Sequence, residues 1–329
     1  MRRNRLCFGA ALVVLGSGLC LSLMMGRYEV SPMALLHVME GHGEPEVRAV
    51  LFQARLPRII AALCVGAALA MSGTAFQAVF RNPLVSPDLL GVLSGAAFGA
   101  AWAIIAHGNT LMIEISTFIG GCGAVAFGFL VARLVSGEGV LPLLLGGLIS
   151  TALFTALLSL LKYLADPFDQ LPAIIYWLLG SLAQTSWGQL AVLVPLLCLG
   201  MAGLWSGARI LDVSGLSDDE ARSLGLPIST MRLGILLLAT ALGALTVSLA
   251  GIIGWVGLII PHMARLLIGP EHRNLLPFAA LLGACCLLFA DMAARSLSPS
   301  EIPLGMMTEL LGALGFVLVL RQLRREGRL

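Results

Sequence analysis

The sequence predicts an all-α polytopic membrane protein with about ten transmembrane helices, and three observations carry this prediction. Of the 329 residues, 58% are hydrophobic and only 12% are charged. The mean hydropathy is +0.96, which exceeds what the core of a soluble protein would bury. Apolar runs close to the roughly 20 residues of a bilayer crossing recur along the chain. We therefore expect a single transmembrane domain over residues 1–329.

Ten apolar runs are the candidate membrane helices. In chain order they cover residues 6–25, 56–80, 89–107, 111–135, 141–164, 188–206, 231–250, 252–269, 275–294 and 303–322. Glycine clusters at 66–73 and 120–128 are typical of helices that pack closely in a membrane, because small residues let backbones approach. An eleventh stretch, 171–183, is too short to span. Its Tyr176 and Trp177 are typical interface anchors, so we expect a short re-entrant or interfacial helix there.

The distribution of positive charge predicts the orientation of the chain. Three arginines precede the first run, and residues 21–26 lack a small-residue cleavage site, so we expect a retained first helix rather than a cleaved signal peptide. With alternating helices and a cytoplasmic N-terminus, fourteen Lys and Arg residues lie on the cytoplasmic side and six on the opposite side. This asymmetry agrees with the positive-inside rule. We expect a multi-pass protein of the inner (plasma) membrane with both termini in the cytoplasm.

One hydrophilic segment, residues 211–227, interrupts the apolar pattern on the predicted cytoplasmic side. It reads LDVSGLSDDEARSLGLP. Its acidic triplet 218–220 favours the start of a short helix, since negative charge stabilises the N-terminal end of the helix dipole. Gly225 can end that helix, and Pro227 prevents its continuation. The segment is either an ordinary solvated loop or a lever that contacts a cytoplasmic partner.

The sequence contains no motif for ATP hydrolysis or other catalysis. Its only lysine is Lys162, which excludes a GxxxxGK[ST] phosphate-binding loop. The five histidines form neither an HExxH motif nor a nucleophile triad; they are His37, His42, His107, His262 and His272. We expect no enzyme activity in this chain and no metal or cofactor bound by it.

Three separated segments, taken together, resemble one family. They are ARLPRIIAALCVGAALAMSGTAFQAVFRNPLVSPDLLGVLSGAAFG (54–99), DEARSLGLP (219–227) and GIIGWVGLIIPHMARLLIGPEHRNLLPFAALLGACCLLFADMAARSLSPSEIPLG (251–305). In this order they are similar to the FecCD family, the permeases of ATP-binding cassette (ABC) importers for ferric siderophores, haem and cobalamin. The similarity runs over almost the whole chain.

The resemblance implies the type II ABC importer permease fold, with ten helices in each subunit. It also implies a second permease copy, identical or paralogous, two ATPase subunits that bind ATP and Mg²⁺, a periplasmic substrate-binding protein, surrounding membrane lipid and no nucleic acid. Region 211–228 then corresponds to the coupling helices that sit in a groove of the ATPase. The residues expected to serve ATPase coupling are Asp218, Glu220, Ala221, Leu224, Gly225, His262 and Arg265. For His262, a structural role at a helix end is an equal alternative.

Three arginines on the predicted outer side depart from the positive-inside rule. Arg55 and Arg58 lie one turn apart before the second apolar run, and Arg295 lies at the outer end of the ninth. The resemblance implies that Arg55 and Arg295 dock the binding protein by pairing with acidic residues of its two lobes, and we group Arg58 with them. Snorkelling of these side chains or contact with lipid headgroups is the alternative.

The resemblance further implies a transport pathway lined mainly by the fifth helix, 141–164, which follows a gate turn at Val140 and Leu141. Glu309 departs from the family, whose members usually carry a small neutral residue there. A carboxyl group at that depth is costly unless it faces a polar interior or is protonated, so Glu309 is a candidate pathway residue.

The substrate class stays open at this point. A ferric siderophore, haem, a corrinoid and an oxyanion such as molybdate all fit, since selectivity in the family rests largely on the binding protein. A secondary transporter is the competing class, and it would need paired ionisable residues near mid-membrane. A scaffold or receptor subunit is the third class, and it would not need the cytoplasmic segment.

Overall fold

The computed structural model describes residues 2–26, 28–134, 141–215, 227–298 and 300–325. Within these ranges every regular element is a helix or a helical turn. Helices suit a chain of this composition because each helix pairs its own backbone N–H and C=O groups. The hydrocarbon of a membrane offers these groups no hydrogen-bond partners.

Seven helical stretches are long and apolar enough to cross a membrane. They lie on seven of the predicted runs. Six of them are single helices: α1 (Arg2–Met24), α6 (Thr110–Leu134), α7 (Leu141–Leu164), α9 (Trp187–Ser206), α11 (Ile228–Ala250) and α13 (His272–Ser296). The seventh is continuous over three elements, namely α3 (Pro45–Ala49), a π-helical segment (Val50–Arg55) and α4 (Leu56–Val79).

Three further apolar helices lie on the remaining predicted runs. They are α5 (Val92–Ile105) and α12 (Val256–Ile268), which are shorter than the seven, and α14 (Leu304–Arg325), in which the structure describes the side chains of the apolar stretch 304–317. The helix α5 begins late because residues 87–90 form a 3₁₀ turn and Gly91 adopts a φ of 82°. The helix α12 begins late because residues 251–254 are not helical and Trp255 adopts a φ of 67°. The total of ten crossings therefore stays a prediction.

Short helices complete the described chain. They are α2 (Pro32–Met39), α8 (Gln170–Leu178) and α10 (Ala208–Ser214). The predicted short helix at 171–183 corresponds to α8, which ends earlier because Gly180 turns the chain with a φ of 73°. There the Ser181 N–H donates to the Ala250 carbonyl (2.9 Å), and the Leu304 N–H donates to the Gly180 carbonyl (2.9 Å). The end of α8 is thereby joined to the end of α11 and the start of α14.

The helix α4 lies at the centre of the bundle, packed by α9, α11, α12 and α13, and most of its residues are buried. Its predicted close contacts are confirmed at two glycines. A Cβ atom on Gly66 would overlap the carbonyl oxygen of Gly283 in α13, and one on Gly73 would overlap that of Gly257 in α12. The helices α1 and α7, in contrast, are mostly exposed. Their apolar faces are available to lipid or to another chain.

Candidate functional site

Four charged side chains meet at the predicted outer ends of α4 and α13. Arg58 Nε lies 2.7 Å from Asp291 Oδ1, and Arg58 Nη1 lies 2.8 Å from Glu301 Oε2. Arg295 Nε lies 3.5 Å from the second carboxylate oxygen of Asp291, one turn away on the same helix. Asp291 is fully buried, and burial of an ionised carboxylate is costly unless it is paired. The two arginines supply that pairing.

Arginines from two other elements close the C-terminal end of α1. Arg295 donates from Nη1 to the Met25 carbonyl (2.7 Å) and from Nη2 to the carbonyl and hydroxyl oxygens of Ser22 (2.6 Å each). Arg55, the last residue of the π-helical segment, donates to the Leu23 carbonyl. The last carbonyls of a helix lack partners within the helix and carry partial negative charge. The two guanidinium groups satisfy these carbonyls and hold α1 against the bundle.

The chain leaves α1 through a glycine that this arrangement requires. Gly26 adopts a φ of 151°, and a Cβ atom there would lie 3.1 Å from both the Arg55 and the Arg295 guanidinium nitrogens. Two residues later, the Tyr28 carbonyl accepts a second hydrogen bond from Arg55. Arg55 is therefore hydrogen-bonded to carbonyl groups on both sides of Gly26.

The predicted docking arginines thus come together, but they do not form an exposed rim. Arg55 and Arg295 are buried, at 5% and 6% exposure, because their guanidinium groups serve the end of α1. Arg58 lies between two carboxylates. Side chains that extend freely toward lipid headgroups would not be buried and paired in this way. Their role in docking a binding protein stays a prediction.

A second network joins α10 to the predicted inner ends of α4 and α13. Asp212 Oδ1 accepts a hydrogen bond from the backbone N–H of His272 (3.0 Å) and lies 2.7 Å from Nδ1 of the same residue. Arg81, which follows α4, donates from Nε to the Ser214 carbonyl (2.9 Å). A carboxylate at the first turn of α13 is favourable because the N-terminal end of a helix carries partial positive charge. Two residues of α10 are therefore bound to two long helices.

The two predicted coupling residues of α12 lie beside this network. Arg265 donates from Nη2 to Gln77 Oε1 (2.9 Å), and Gln77 donates from Nε2 to the Leu258 carbonyl (3.0 Å). Arg265 is thereby tied to α4. His262 Nε2 is buried and has no hydrogen-bond partner among the described residues. The coupling roles of His262 and Arg265 stay predictions.

Six predicted site residues lie outside the described residues. The coupling residues Asp218, Glu220, Ala221, Leu224 and Gly225 fall within 216–226, and the gate residue Val140 falls within 135–140. Of the predicted coupling region 211–228, the structure describes 211–215, most of it the end of α10, and 227–228, where α11 begins.

A cavity of about 460 Å³ lies between α5, α7, α14 and the residues that precede α12. Asp88 of the 3₁₀ turn and Glu309 both line it, together with hydroxyl groups, and none of its described lining residues is basic. Burial raises the pKa of the Asp88 carboxyl group, although the side chain remains accessible through the cavity. Glu309 thus borders an open recess in which a few polar side chains lie among mostly apolar ones. Leu141 lies elsewhere, at the exposed start of α7, and the gate and pathway roles stay predictions.

Several of these charged partners escaped the sequence analysis. Asp291 and Arg295 stand four positions apart in an apolar run, the spacing of an ion pair on one helix face, so a local signal existed for Asp291. No local signal links Asp212 to His272, which lie 60 positions apart. Their contact depends on how α10 folds back against α13.

The described helical bundle, with its apolar spans and its charged groups gathered at the helix ends, defines the class: a polytopic membrane protein. Comparison with known proteins narrows this class. The FecCD transport family matches residues 12–322. The chain belongs to this family and is a permease of an ABC importer. Permeases of this kind are not themselves ATPases.

Individual relatives cover nearly the whole chain. The molybdate import system permease protein MolB of Haemophilus influenzae is 40% identical over 330 residues, which cover 98% of this chain and 97% of that protein. The hemin transport system permease protein HmuU of Yersinia pestis is 42% identical over 286 residues, 83% of each chain. A solved structure described as a metal-chelate type ABC transporter in an inward-facing conformation aligns with a TM-score of 0.89 and 40% identity, over 97% of this chain and 99% of that one. The predicted family resemblance is therefore confirmed.

Proposed function

We propose that this chain forms the membrane pathway of an importer that moves a metal chelate from the periplasm to the cytoplasm. It does so as one of two permease copies, with two ATPase subunits on the cytoplasmic side and a binding protein on the other. In this arrangement ten helices cross the inner membrane, and both termini are cytoplasmic. The names of several relatives, for hemin, iron(3+)-hydroxamate and cobalamin, support the metal-chelate class.

The observation that carries this proposal is the attachment of the hydrophilic segment 211–227. A solvated loop does not require its ends to be fixed to the rest of the protein. Here, however, Asp212 and Ser214 are hydrogen-bonded to the ends of α13 and α4. Pro227, at the other flank, leads directly into α11. A segment held on both sides by long helices is suited to transmit force from a cytoplasmic ATPase.

The charge of the cavity that Asp88 and Glu309 line favours a chelate over an oxyanion. Asp88 and Glu309 line this cavity without a basic residue among its described lining. Two unit charges of one sign at about 4 Å repel by about 4 kcal/mol where the effective dielectric constant is about 20. A dianion would meet this repulsion at each ionised carboxylate, whereas a neutral or cationic chelate would not.

Molybdate is the second candidate substrate, because the relative MolB matches 98% of this chain at 40% identity. Uptake separates the two candidates. Cells that lack other importers for these solutes would express this chain with the ATPase and binding protein encoded beside it. We expect uptake of radiolabelled iron as a ferric siderophore, or of haem or cobalamin, and no uptake of molybdate above the vector control. Uptake of molybdate alone would overturn the chelate assignment and leave the permease assignment intact.

Assembly with the ATPase tests the permease function itself. In lipid nanodiscs, we expect ATP hydrolysis by the co-purified complex and none by this chain alone. Leu224→Arg should abolish co-purification of the ATPase, since it places a charge in the segment expected to fill a protein groove. Phe168→Arg adds the same charge at an exposed position on the predicted outer side, away from the ATPase, and it serves as the control. Undiminished assembly of the Leu224→Arg variant would mean that the segment is only a loop.

A further inference from the structure

The helices α4 and α13 form a closely packed pair that is linked to other elements at both ends. At Gly66 and Gly283 the two backbones touch, so that a Cβ atom on either glycine would overlap the carbonyl oxygen of the other. Backbones in contact at this crossing leave little room for the two helices to move relative to each other there, because interiors are close-packed and deform in discrete steps.

At the predicted inner end, α4 and α13 are hydrogen-bonded to the start of the hydrophilic segment. Asp212 accepts from the backbone N–H of His272, the first residue of α13, and contacts the imidazole Nδ1 of that residue. Glu271, the residue before α13, makes no side-chain cap for this helix. Asp212 therefore supplies the missing N-terminal cap from another element. Arg81 makes the corresponding bond from the end of α4 to Ser214.

At the predicted outer end, the same two helices are joined by charge. Arg58 of α4 is bound to Asp291 of α13 at 2.7 Å, and it also contacts Glu301 at 2.8 Å. Arg295, one turn after Asp291, holds the end of α1. A helix of 25 residues is about 37 Å long at about 1.5 Å per residue. The helix α13 therefore connects the two charged networks directly.

We propose that α4 and α13 act as one strut, which carries movement of the hydrophilic segment to the outer face, and that Asp212 is the positioning residue that joins the segment to the strut. This inference rests on the proposed function. Its distinctive consequence is that removal of one side chain at the inner end disconnects the outer face from ATP hydrolysis without preventing assembly with the ATPase.

The test uses the complete transporter in nanodiscs and a thiol reporter at the outer end. Ser300→Cys places the reporter at an exposed position next to Glu301. Its labelling rate by a membrane-impermeant maleimide is measured without nucleotide and after trapping with ATP and vanadate, and the parent chain without this substitution gives the background. ATPase co-purification is measured in parallel.

Asp212→Ala in this background should reduce the nucleotide-dependent change in labelling rate roughly fivefold or more, the lower range of allosteric coupling. Co-purification of the ATPase should stay within twofold of the parent. Asp212→Asn, which keeps an acceptor oxygen for both His272 N–H groups, should restore most of the change. Glu271→Ala is the matched control, since it removes a carboxylate whose hydrogen bond to Asn274 stays within the start of α13. It should leave the change intact.

A full nucleotide-dependent change in the Asp212→Ala variant would overturn the strut. So would an equal loss in the Asp212→Ala and Glu271→Ala variants, because that would be a general effect of charge. If Asp212→Ala does not yield folded protein, Asp212→Leu, which keeps the size of the side chain but accepts no hydrogen bond from His272, applies the same criterion, and an unchanged response would again overturn the proposal. If the parent complex itself neither assembles nor responds to nucleotide, the proposed function fails instead.

Discussion

Arg58 and Asp291 form an ion pair with 2.7 Å between Nε and Oδ1, although 233 positions separate them in the sequence. The pair joins the predicted outer ends of α4 and α13, whose backbones are in contact at Gly66 and Gly283. Asp291 also lies near Arg295, so one buried carboxylate is shared by two guanidinium groups.

Removal of this carboxylate should strongly destabilise the protein. Asp291→Ala leaves Arg58 and Arg295 in a buried environment without their shared counterion, which costs about 3–5 kcal/mol when one partner of a buried pair is lost. Thermal unfolding in nanodiscs should show a clearly lower midpoint. Asp169→Ala removes an exposed acid on the same predicted side, and this control should change the midpoint little. Equal midpoints for the two variants would contradict the central role of Asp291.

Neutralising Arg55 and Arg295 should release the end of α1. The double variant Arg55→Gln, Arg295→Gln weakens the charge-assisted bonds to the last carbonyls of α1, so we expect faster amide hydrogen exchange over residues 18–26. Arg48→Gln, at an exposed arginine of α3, should leave this exchange unchanged. Protection equal to the wild type in the double variant would show that these arginines do not anchor α1.

The same double variant tests the docking prediction. If Arg55 and Arg295 pair directly with acidic residues of the binding protein, the loss of its affinity should be largest at low salt. It should shrink as ionic strength rises, because screening acts over about 8–10 Å near physiological salt. A loss that does not depend on salt would assign the effect to the displaced α1, and unchanged affinity at low salt would remove these arginines from the docking surface.

The stability of the protein should depend on pH through Asp88. Burial raises the pKa of this carboxyl group, so the folded state binds its proton more tightly than the unfolded state does. The resulting stability is fully present below the ordinary carboxyl pKa of about 3.9, and it is lost as pH rises through the folded-state pKa. Asp88→Asn cannot ionise. Its midpoint of thermal unfolding, relative to the wild type, should therefore increase from pH 4 to pH 8. A difference that stays constant with pH would contradict this account.

Glu309→Gln should alter transport if the cavity that Glu309 shares with Asp88 belongs to the pathway. The amide keeps the size and hydrogen-bonding capacity of the side chain but removes its charge, so a changed uptake rate between pH 6 and pH 8 would report the charge alone. Glu114→Gln is a useful control, because Glu114 also lies in an apolar helix but is bound to Gln189 at 2.6 Å beside another cavity. Uptake identical to the wild type across this range would make Glu309 a structural residue.

Much of the architecture could be predicted from the sequence because its causes are local. Each described long helix lies on an apolar run, and Gly66 and Gly73 make the close contacts that their cluster predicted. Errors arose where a single backbone conformation decided the boundary. Trp255 and Gly180 end or delay helices through positive φ values, and hydropathy carries no information about φ.

The placement of the charged residues required the tertiary structure. The sequence alone determined that this is a helical membrane chain of the FecCD family, that it lacks a phosphate-binding loop, and that Arg55, Arg58 and Arg295 are unusual on the predicted outer side. Only the packing of α1, α4 and α13 decided that Arg55 and Arg295 point inward to the end of α1, and that Asp212 reaches His272. The physical reason is that apolar length and helical periodicity act between near neighbours, whereas a buried charge takes whichever partner the fold brings within hydrogen-bonding distance.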